Sequence, residues 1–134
     1  MQSDTQTAPI SKKMLWAGRI LSAILVLFLL FDGVAKLIKP ASVVEATVRL
    51  GYPESVIPGL GTLLLVSTVV YVVPRTSVLG AILLTGYLGG ATATHVRIGD
   101  PLFPVLFPSI VGALIWGGLF LRDERLRTLI PVRG

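Results

Sequence analysis

Apolar residues are gathered into four long segments along this chain, and polar residues are concentrated in the short stretches between them. The segments cover about 15–37, 57–73, 78–96 and 104–121. A helix that crosses a bilayer needs about 20 mainly apolar residues. The pattern therefore predicts an all-α fold, a four-helix transmembrane bundle, with one domain over residues 14–121.

A shorter amphipathic stretch follows the first segment, between Pro40 and Gly51. Ser42 is placed to cap a helix there, and Gly51 is placed to stop it. Glu45 and Arg49 are four residues apart and are expected to pair on the surface of this helix. The sequence thus predicts a short interfacial helix after the first span.

The two ends of the chain are polar. Residues 1–13 are rich in Ser, Thr and Gln and are predicted to be a disordered cytoplasmic N-terminus. Residues 122–134 form a basic cytoplasmic tail whose apolar residues share one helical face, which favours an interfacial position on anionic lipid. These apolar residues are Leu126, Leu129 and Ile130.

A cleaved signal peptide is the alternative interpretation of the first segment. Lys12 and Lys13 precede the apolar run, and small residues at Gly33 and Ala35 resemble a cleavage site. The apolar run is longer than a usual signal peptide core, and Asp32 lies just before the small residues. Both features favour a retained transmembrane helix.

Composition supports the membrane assignment and excludes several kinds of chemistry. With 53% hydrophobic and 14% charged residues, the chain has too little charge to cover a water-soluble surface. The net charge of +5 comes from basic residues that flank the apolar segments, which argues against a nucleic-acid partner. The chain has no cysteine, so it has no disulfide, no thiolate nucleophile and no cysteine-ligated iron–sulfur or zinc site.

The distribution of basic residues predicts the orientation. Four spans put both termini on one side, and eight of the 12 Lys and Arg residues then share that side: Lys12, Lys13, Arg19, Arg75, Arg122, Arg125, Arg127 and Arg133. The other four are Lys36, Lys39, Arg49 and Arg97. The excess predicts a multi-pass protein of the cytoplasmic membrane with both termini in the cytoplasm. Trp16 and Tyr71 are expected at the inner boundary and Tyr52 at the outer one.

Small residues repeat at four-residue spacing in the last two segments, which is typical of close helix packing in lipid. The pairs are Gly86 with Gly90, Thr85 with Gly89, and Ala113 with Gly117.

Ionisable residues near the predicted outer boundary are the candidate functional residues. Asp32 and Lys36 lie four residues apart at the end of the first segment, and His95, Arg97 and Asp100 follow the third. Asp32 and Lys36 are expected to pair, and Arg97 is expected to pair with Asp100 or Asp32. The five residues form a candidate polar pocket, and their alternative role is to anchor helix ends and lock the loop.

The single histidine, His95, is the side chain that gives this candidate pocket its chemistry. An imidazole can hydrogen-bond a quinone carbonyl or relay protons near neutral pH. A quinone is therefore a possible cofactor of this pocket, although the sequence does not firmly imply any cofactor. One histidine without cysteine supplies too few ligands, so no metal site is predicted.

Three stretches resemble the DoxX-like family of small four-helix membrane proteins. They are 31–37 (FDGVAKL), 50–54 (LGYPE, followed by Gly59 and by VPRT at 73–76) and 94–101 (THVRIGDP). Their order and spacing extend the resemblance over about 15–121.

The resemblance implies a membrane subunit with a link to redox assemblies, because the family is named from membrane subunits of a thiosulfate–quinone oxidoreductase. Many relatives carry an acidic residue early in the second helix, where this chain has GLGT at 59–62. This departure weakens the expectation that the chain itself is catalytic.

These observations predict an accessory or quinone-associated subunit of a membrane redox system. Its expected partners are the lipid bilayer, a soluble or membrane redox protein, and further copies of the chain. A self-sufficient enzyme is disfavoured because the sequence offers no motif to hold an electron carrier. An oligomeric small-molecule transporter and a purely structural membrane scaffold are the alternatives.

Overall fold

The structure of this chain, a computed structural model, describes residues 11–129, and every long element in that range is a helix. The helices are α1 (Lys12–Ile38), α2 (Ala41–Arg49), α3 (Ile57–Val72), α4 (Ser77–Arg97), α5 (Leu102–Arg122) and α6 (Glu124–Leu129). Single 3₁₀ turns at Glu54–Val56 and Pro74–Thr76 lead into α3 and α4. The helices α1, α3, α4 and α5 are long and apolar enough to cross a membrane. The predicted all-α bundle is confirmed.

The first helix starts earlier than the sequence predicts. The Ser11 hydroxyl accepts a hydrogen bond from the Met14 amide at 3.1 Å, which caps the helix and places Lys12 and Lys13 inside it. The prediction of disorder is therefore wrong for these two lysines, and residues 1–10 lie outside the described range.

The short helix α2 begins one residue before the predicted cap. Pro40 occupies the N-cap position without a side-chain hydrogen bond, so Ser42 is not the cap. Beyond α2, Gly51 has a φ of +100°, a left-handed conformation that favours glycine and that reverses the chain towards α3. The last residue of α2 is Arg49, and the chain turns away at Gly51, where the sequence predicted the helix to stop.

The four long helices pack in a ring, in which α1 contacts α3 and α5, and α4 contacts the same two helices. Their shared core includes Leu29, Leu64, Tyr71, Leu84, Ile115 and Leu119. We call the end where α1 begins and where α3 and α5 finish the terminal end. The opposite end carries α2 and is called the α2 end.

The outer surface of the ring is apolar. Leu27, Phe31 and Phe103 are 67%, 76% and 70% exposed, and many other large apolar residues also point outward. A surface of this kind on long apolar helices is suited to lipid and not to water. The chain is thus a membrane protein in contact with the bilayer.

Close helix contacts occur at other glycines than those predicted. A Cβ atom built on Gly18 would lie 2.8 Å from the Gly118 carbonyl oxygen, and one on Gly61 would lie 2.8 Å from the Gly33 oxygen. A Cβ on Gly80 would lie 2.2 Å from the Tyr71 amide nitrogen. These positions fix where α1 meets α5, where α1 meets α3, and where α3 meets α4.

The predicted close-contact glycines instead have open space beside them. Nothing lies within 4 Å of a Cβ atom built on Gly86, Gly89, Gly90 or Gly117. The prediction is therefore wrong for packing within the described chain. Four-residue spacing identifies a stripe of small residues, but it does not tell which helix face meets a neighbour.

Tyr71 is a core residue and not an interfacial one. Its side chain is fully buried, its hydroxyl donates to the Ile115 carbonyl oxygen at 2.9 Å, and its oxygen lies 3.2 Å from the Ser22 hydroxyl. Trp16, by contrast, is 56% exposed at the terminal end, where an interfacial aromatic residue is expected.

The tail begins with a helix that packs back on the bundle. The Asp123 carboxylate accepts hydrogen bonds from the amides of Arg125 and Leu126, which caps α6. Leu126 is 4% exposed and belongs to the core. The predicted interfacial face is therefore wrong at Leu126, while the Leu129 side chain and Ile130 lie outside the described part.

Candidate functional site

A cavity of about 370 Å³ lies near the α2 end, between α1, α4 and α5 and beneath α2. Its volume is within the range of small-molecule pockets. Most of its wall is apolar, and the residues that form this part include Phe28, Leu29, Leu60, Leu88, Phe107 and Val111. Its polar groups come from α1, α2 and α4 and from Tyr52, which lies between α2 and α3.

The α1 side of the cavity carries the predicted charge pair. Lys36 Nζ lies 2.6 Å from Asp32 Oδ1, so the pairing predicted from the four-residue spacing is confirmed. Gly61 of α3 packs against the same part of α1, because a Cβ atom there would lie 2.8 Å from Lys36 Cβ. This close backbone approach positions the pair at the cavity.

His95 lines the cavity and is held from behind by Asp100. His95 Nδ1 is 2.5 Å from Asp100 Oδ2, and Asp100 also accepts two hydrogen bonds from Arg49, at 3.0 Å and 3.3 Å. The Arg49 guanidinium, and then the His95 hydrogen bond, hold the pKa of Asp100 below its usual range.

The charge of Asp100 assigns the tautomer of His95. An ionised carboxylate can only accept hydrogen bonds, so the proton lies on His95 Nδ1 and is donated to Asp100. In the neutral ring, Nε2 then keeps its lone pair and can accept a proton or a hydrogen bond. Within residues 11–129, no side chain or backbone group forms a hydrogen bond with Nε2.

Arg97 has a different partner from the one predicted. Its guanidinium donates to the Leu50 carbonyl oxygen at 2.8 Å and lies against Gly51, so it pairs with neither Asp100 nor Asp32. The reason is that α2 folds over the end of α4 and brings Arg49 to Asp100.

The expected pairing of Arg49 with Glu45 is also replaced, since Arg49 takes Asp100 as its partner. Neither Arg97 nor Asp100 lines the cavity. Of the five predicted site residues, Asp32, Lys36 and His95 do line it, and Asp100 reaches it through His95.

Two tyrosines at the cavity were not among the predicted site residues. Tyr52 lies 3.0 Å from the Thr94 hydroxyl, oxygen to oxygen, and Tyr87 forms part of the wall. Tyr87 precedes His95 by two helical turns, so both belong to one face of α4. That face was readable from the sequence: its cavity residues are Tyr87, Leu88, Ala91, Thr94 and His95.

The helix α2 covers the cavity with Val43, Ala46 and Thr47. It is attached at its end through the hydrogen bonds of Arg49 to Asp100 and of Arg97 to Leu50. These polar contacts join α2 to the end of α4 and the loop that follows it. The end of this cover is therefore held by one ion pair and by one hydrogen bond to a backbone carbonyl group.

The lining of the cavity is suited to an amphipathic small molecule. Lys36 supplies a hydrogen-bond donor, the tyrosines supply hydroxyl groups, and His95 supplies a base, while the aromatic and aliphatic wall suits a flat apolar ring. Across residues 11–129, no group of three His, Cys, Asp or Glu side chains is placed to hold a metal ion.

Four apolar helices around a cavity with polar groups at one end define a small multi-pass membrane protein. The sequence model of the DoxX-like family matches residues 20–118, and the chain therefore belongs to the DoxX-like family. The match includes the three stretches that carry the resemblance, at 31–37, 50–54 and 94–101. No curated protein and no solved structure matches the chain.

Proposed function

We propose that this protein is an accessory subunit of a membrane redox system and that it binds the ring of a quinone or quinol in the cavity at the α2 end. The observation that carries this proposal is the combination, in one cavity of about 370 Å³, of apolar walls with the Asp32–Lys36 pair and His95. Electrons are carried by a partner protein, and this chain binds and orients the ring.

The shape and chemistry of a quinone fit this arrangement. A quinone ring has apolar faces and oxygen atoms at its edge, so it needs flat apolar walls and hydrogen-bonding groups at one side. Phe28, Phe107 and Tyr87 supply aromatic surface. Lys36 can donate to a quinone oxygen, and His95 Nε2 can accept a hydrogen bond or a proton from a quinol hydroxyl.

The position of two phenylalanines supports access from the lipid. Phe28 of α1 and Phe107 of α5 line the cavity and are 42% and 37% exposed. Their rings meet edge to face, with centroids 5.8 Å apart. A hydrocarbon tail attached to a ring in the cavity can leave between these two helices and remain in the bilayer.

Binding of a short-chain quinone tests the proposal directly. We would reconstitute the full chain in phosphatidylcholine nanodiscs and measure decylubiquinone binding by isothermal titration calorimetry. We expect one site per chain. His95→Gln should weaken binding by up to about tenfold, the equivalent of one lost hydrogen bond. Asp32→Asn should also weaken it, because it releases Lys36 from its position.

Thr92→Val is the matched control, since Thr92 lies on α4 close to His95, outside the cavity, with its hydroxyl on Ser109. Its affinity should equal that of the wild type. Equal quinone affinity in the wild type and all three variants would refute the cavity as the binding site. Flux of a solute into liposomes that contain the chain, without quinone binding, would favour the transporter alternative.

A further inference from the structure

A second cleft, of about 410 Å³, opens at the terminal end between α1, α3 and α5. It lies at the opposite end of the bundle from the cavity beneath α2. Two arginines line it, Arg19 from α1 and Arg122 from the last position of α5. Below them the cleft is mainly apolar, with Val26, Leu27 and Val72 along its wall.

Arg122 is fixed in place by two contacts. Its Nε donates to the Ser22 hydroxyl at 3.0 Å, and its guanidinium carbon lies 5.2 Å from the centre of the Tyr71 ring. Ser22 and Tyr71 are themselves buried and hydrogen-bonded to each other. The contacts use Nε and the guanidinium face, so the two terminal nitrogens keep their donors for another group.

Arg19 adds a second positive charge to the cleft. It is exposed, and its guanidinium carbon lies 5.3 Å from the centre of the Trp16 ring. In the described part of the chain, neither Arg19 nor Arg122 forms an ion pair with a carboxylate. The nearest acid in sequence, Asp123, does not line the cleft, and its carboxylate caps α6.

We propose that this cleft binds one anionic phospholipid, with its phosphate between Arg19 and Arg122 and one acyl chain along Val26, Leu27 and Val72. Guanidinium groups bind phosphate oxygens through paired hydrogen bonds, and the fixed Arg122 is prepared for such contacts. The exposed Trp16 beside Arg19 is a residue typical of the headgroup level, which places the two charges where lipid phosphates lie. The apolar wall continues from there towards the middle of α1.

Competition between two lipids tests this site. The full chain in mixed micelles would receive equal amounts of phosphatidylglycerol and phosphatidylcholine with identical acyl chains, and native mass spectrometry would give the ratio of the two bound lipids. We expect one phosphatidylglycerol retained per chain. Arg19→Gln should lower the ratio roughly fivefold, the effect of one interfacial basic residue.

Arg19→Gln is the primary variant because its described contact is with the exposed Trp16 alone, so the fold should be kept. Arg122→Lys keeps the charge and removes the guanidinium, and it should lower the ratio less than Arg19→Gln does. Arg75→Gln is the matched control, because Arg75 is exposed in the turn before α4 at the same end and does not line the cleft.

Three results would overturn the proposal. One is the same lipid ratio in the wild type and Arg19→Gln. Another is an equal decrease in Arg75→Gln, which would show diffuse attraction to a basic surface. The third is complete loss of the lipid in excess inorganic phosphate at constant ionic strength, which would assign the site to free phosphate. None of these results bears on quinone binding at the α2 end.

Discussion

Gly80 shows how a single residue sets the distance between two helices. A Cβ atom on Gly80 would lie 2.2 Å and 2.3 Å from the backbone nitrogen and Cα of Tyr71, and backbone atoms cannot rotate away. We therefore expect Gly80→Ala to destabilise the protein by about 1–3 kcal/mol or more, as overpacking does. Unfolding in mixed micelles, followed by circular dichroism, would measure the change.

Gly86→Ala is the control on the same helix, where an added Cβ meets nothing within 4 Å. This variant should be neutral or more stable by up to about 1 kcal/mol, because alanine favours helix over glycine. Equal destabilisation by both substitutions would contradict the assignment of Gly80 as the contact between α3 and α4.

Partners of charged residues are predictable from the sequence only when both residues lie in one helix. Asp32 and Lys36 pair as predicted because both lie in one helix, whose geometry fixes their distance. Arg97 and Arg49 were assigned the wrong partners, since their true contacts, Leu50 and Asp100, come from elements far apart in the chain. The spacing of residues in the sequence shows which side chains share one face of a helix. It does not show which other element packs against that face.

At the scale of one element, α2 is held by a carboxylate that titrates in acid. The pKa of Asp100 is lowered from its ordinary value of 3.8, chiefly by the hydrogen bonds from Arg49. Its ionised form therefore stabilises the attachment of α2, fully above the ordinary pKa and less as the pH falls through the lowered one. We expect α2 to stay attached at neutral pH and to loosen only below about pH 3.8.

A spin label on Val48→Cys would report this attachment, because the chain has no other cysteine and Val48 is 46% exposed on α2. The label should be restricted at neutral pH in the wild type and mobile in Asp100→Asn. Glu54→Gln is the control, since the pair of Glu54 with Lys39 is largely exposed and should contribute little. A restricted label in Asp100→Asn would show that α2 is held by other contacts.

The elements differ in how far the sequence predicts them. The four long helices are predictable because the thickness of the bilayer sets how many apolar residues a span needs. This number does not depend on which helices pack against the span. The helix α2 was predicted as well, but not its position over the cavity, which depends on the bonds of Arg49 and Arg97. The sequence thus named Asp32, Lys36 and His95, which line the cavity, and did not name Tyr52 and Tyr87, which line it too.

For the whole molecule, the basic residues predict which end faces the cytoplasm. Between residues 11 and 126, six of the ten Lys and Arg residues lie at the terminal end, so we expect this end inside and α2 outside. Ser55 at the α2 end and Glu124 at the terminal end are both exposed, so each can be replaced by a single cysteine. In intact cells a membrane-impermeant maleimide should label Ser55→Cys, and it should label Glu124→Cys only after permeabilisation. The reverse pattern would invert the topology.

The two walls of the cavity at the α2 end differ in a way that affects affinity. The α1 wall is fixed by the backbone contact of Gly33 with Gly61, so the proposed ligand would meet Asp32 and Lys36 already in place. The α2 wall is joined to α4 and the loop after it through Arg49 and Arg97, and we expect it to complete the proposed binding site only while these contacts are formed. The apparent affinity is the intrinsic affinity multiplied by the closed fraction, so a protein closed one-tenth of the time would bind about tenfold more weakly. Arg97 does not line the cavity, so its substitution should change the strength of the proposed binding through this population alone, without loss of a direct contact to the ligand.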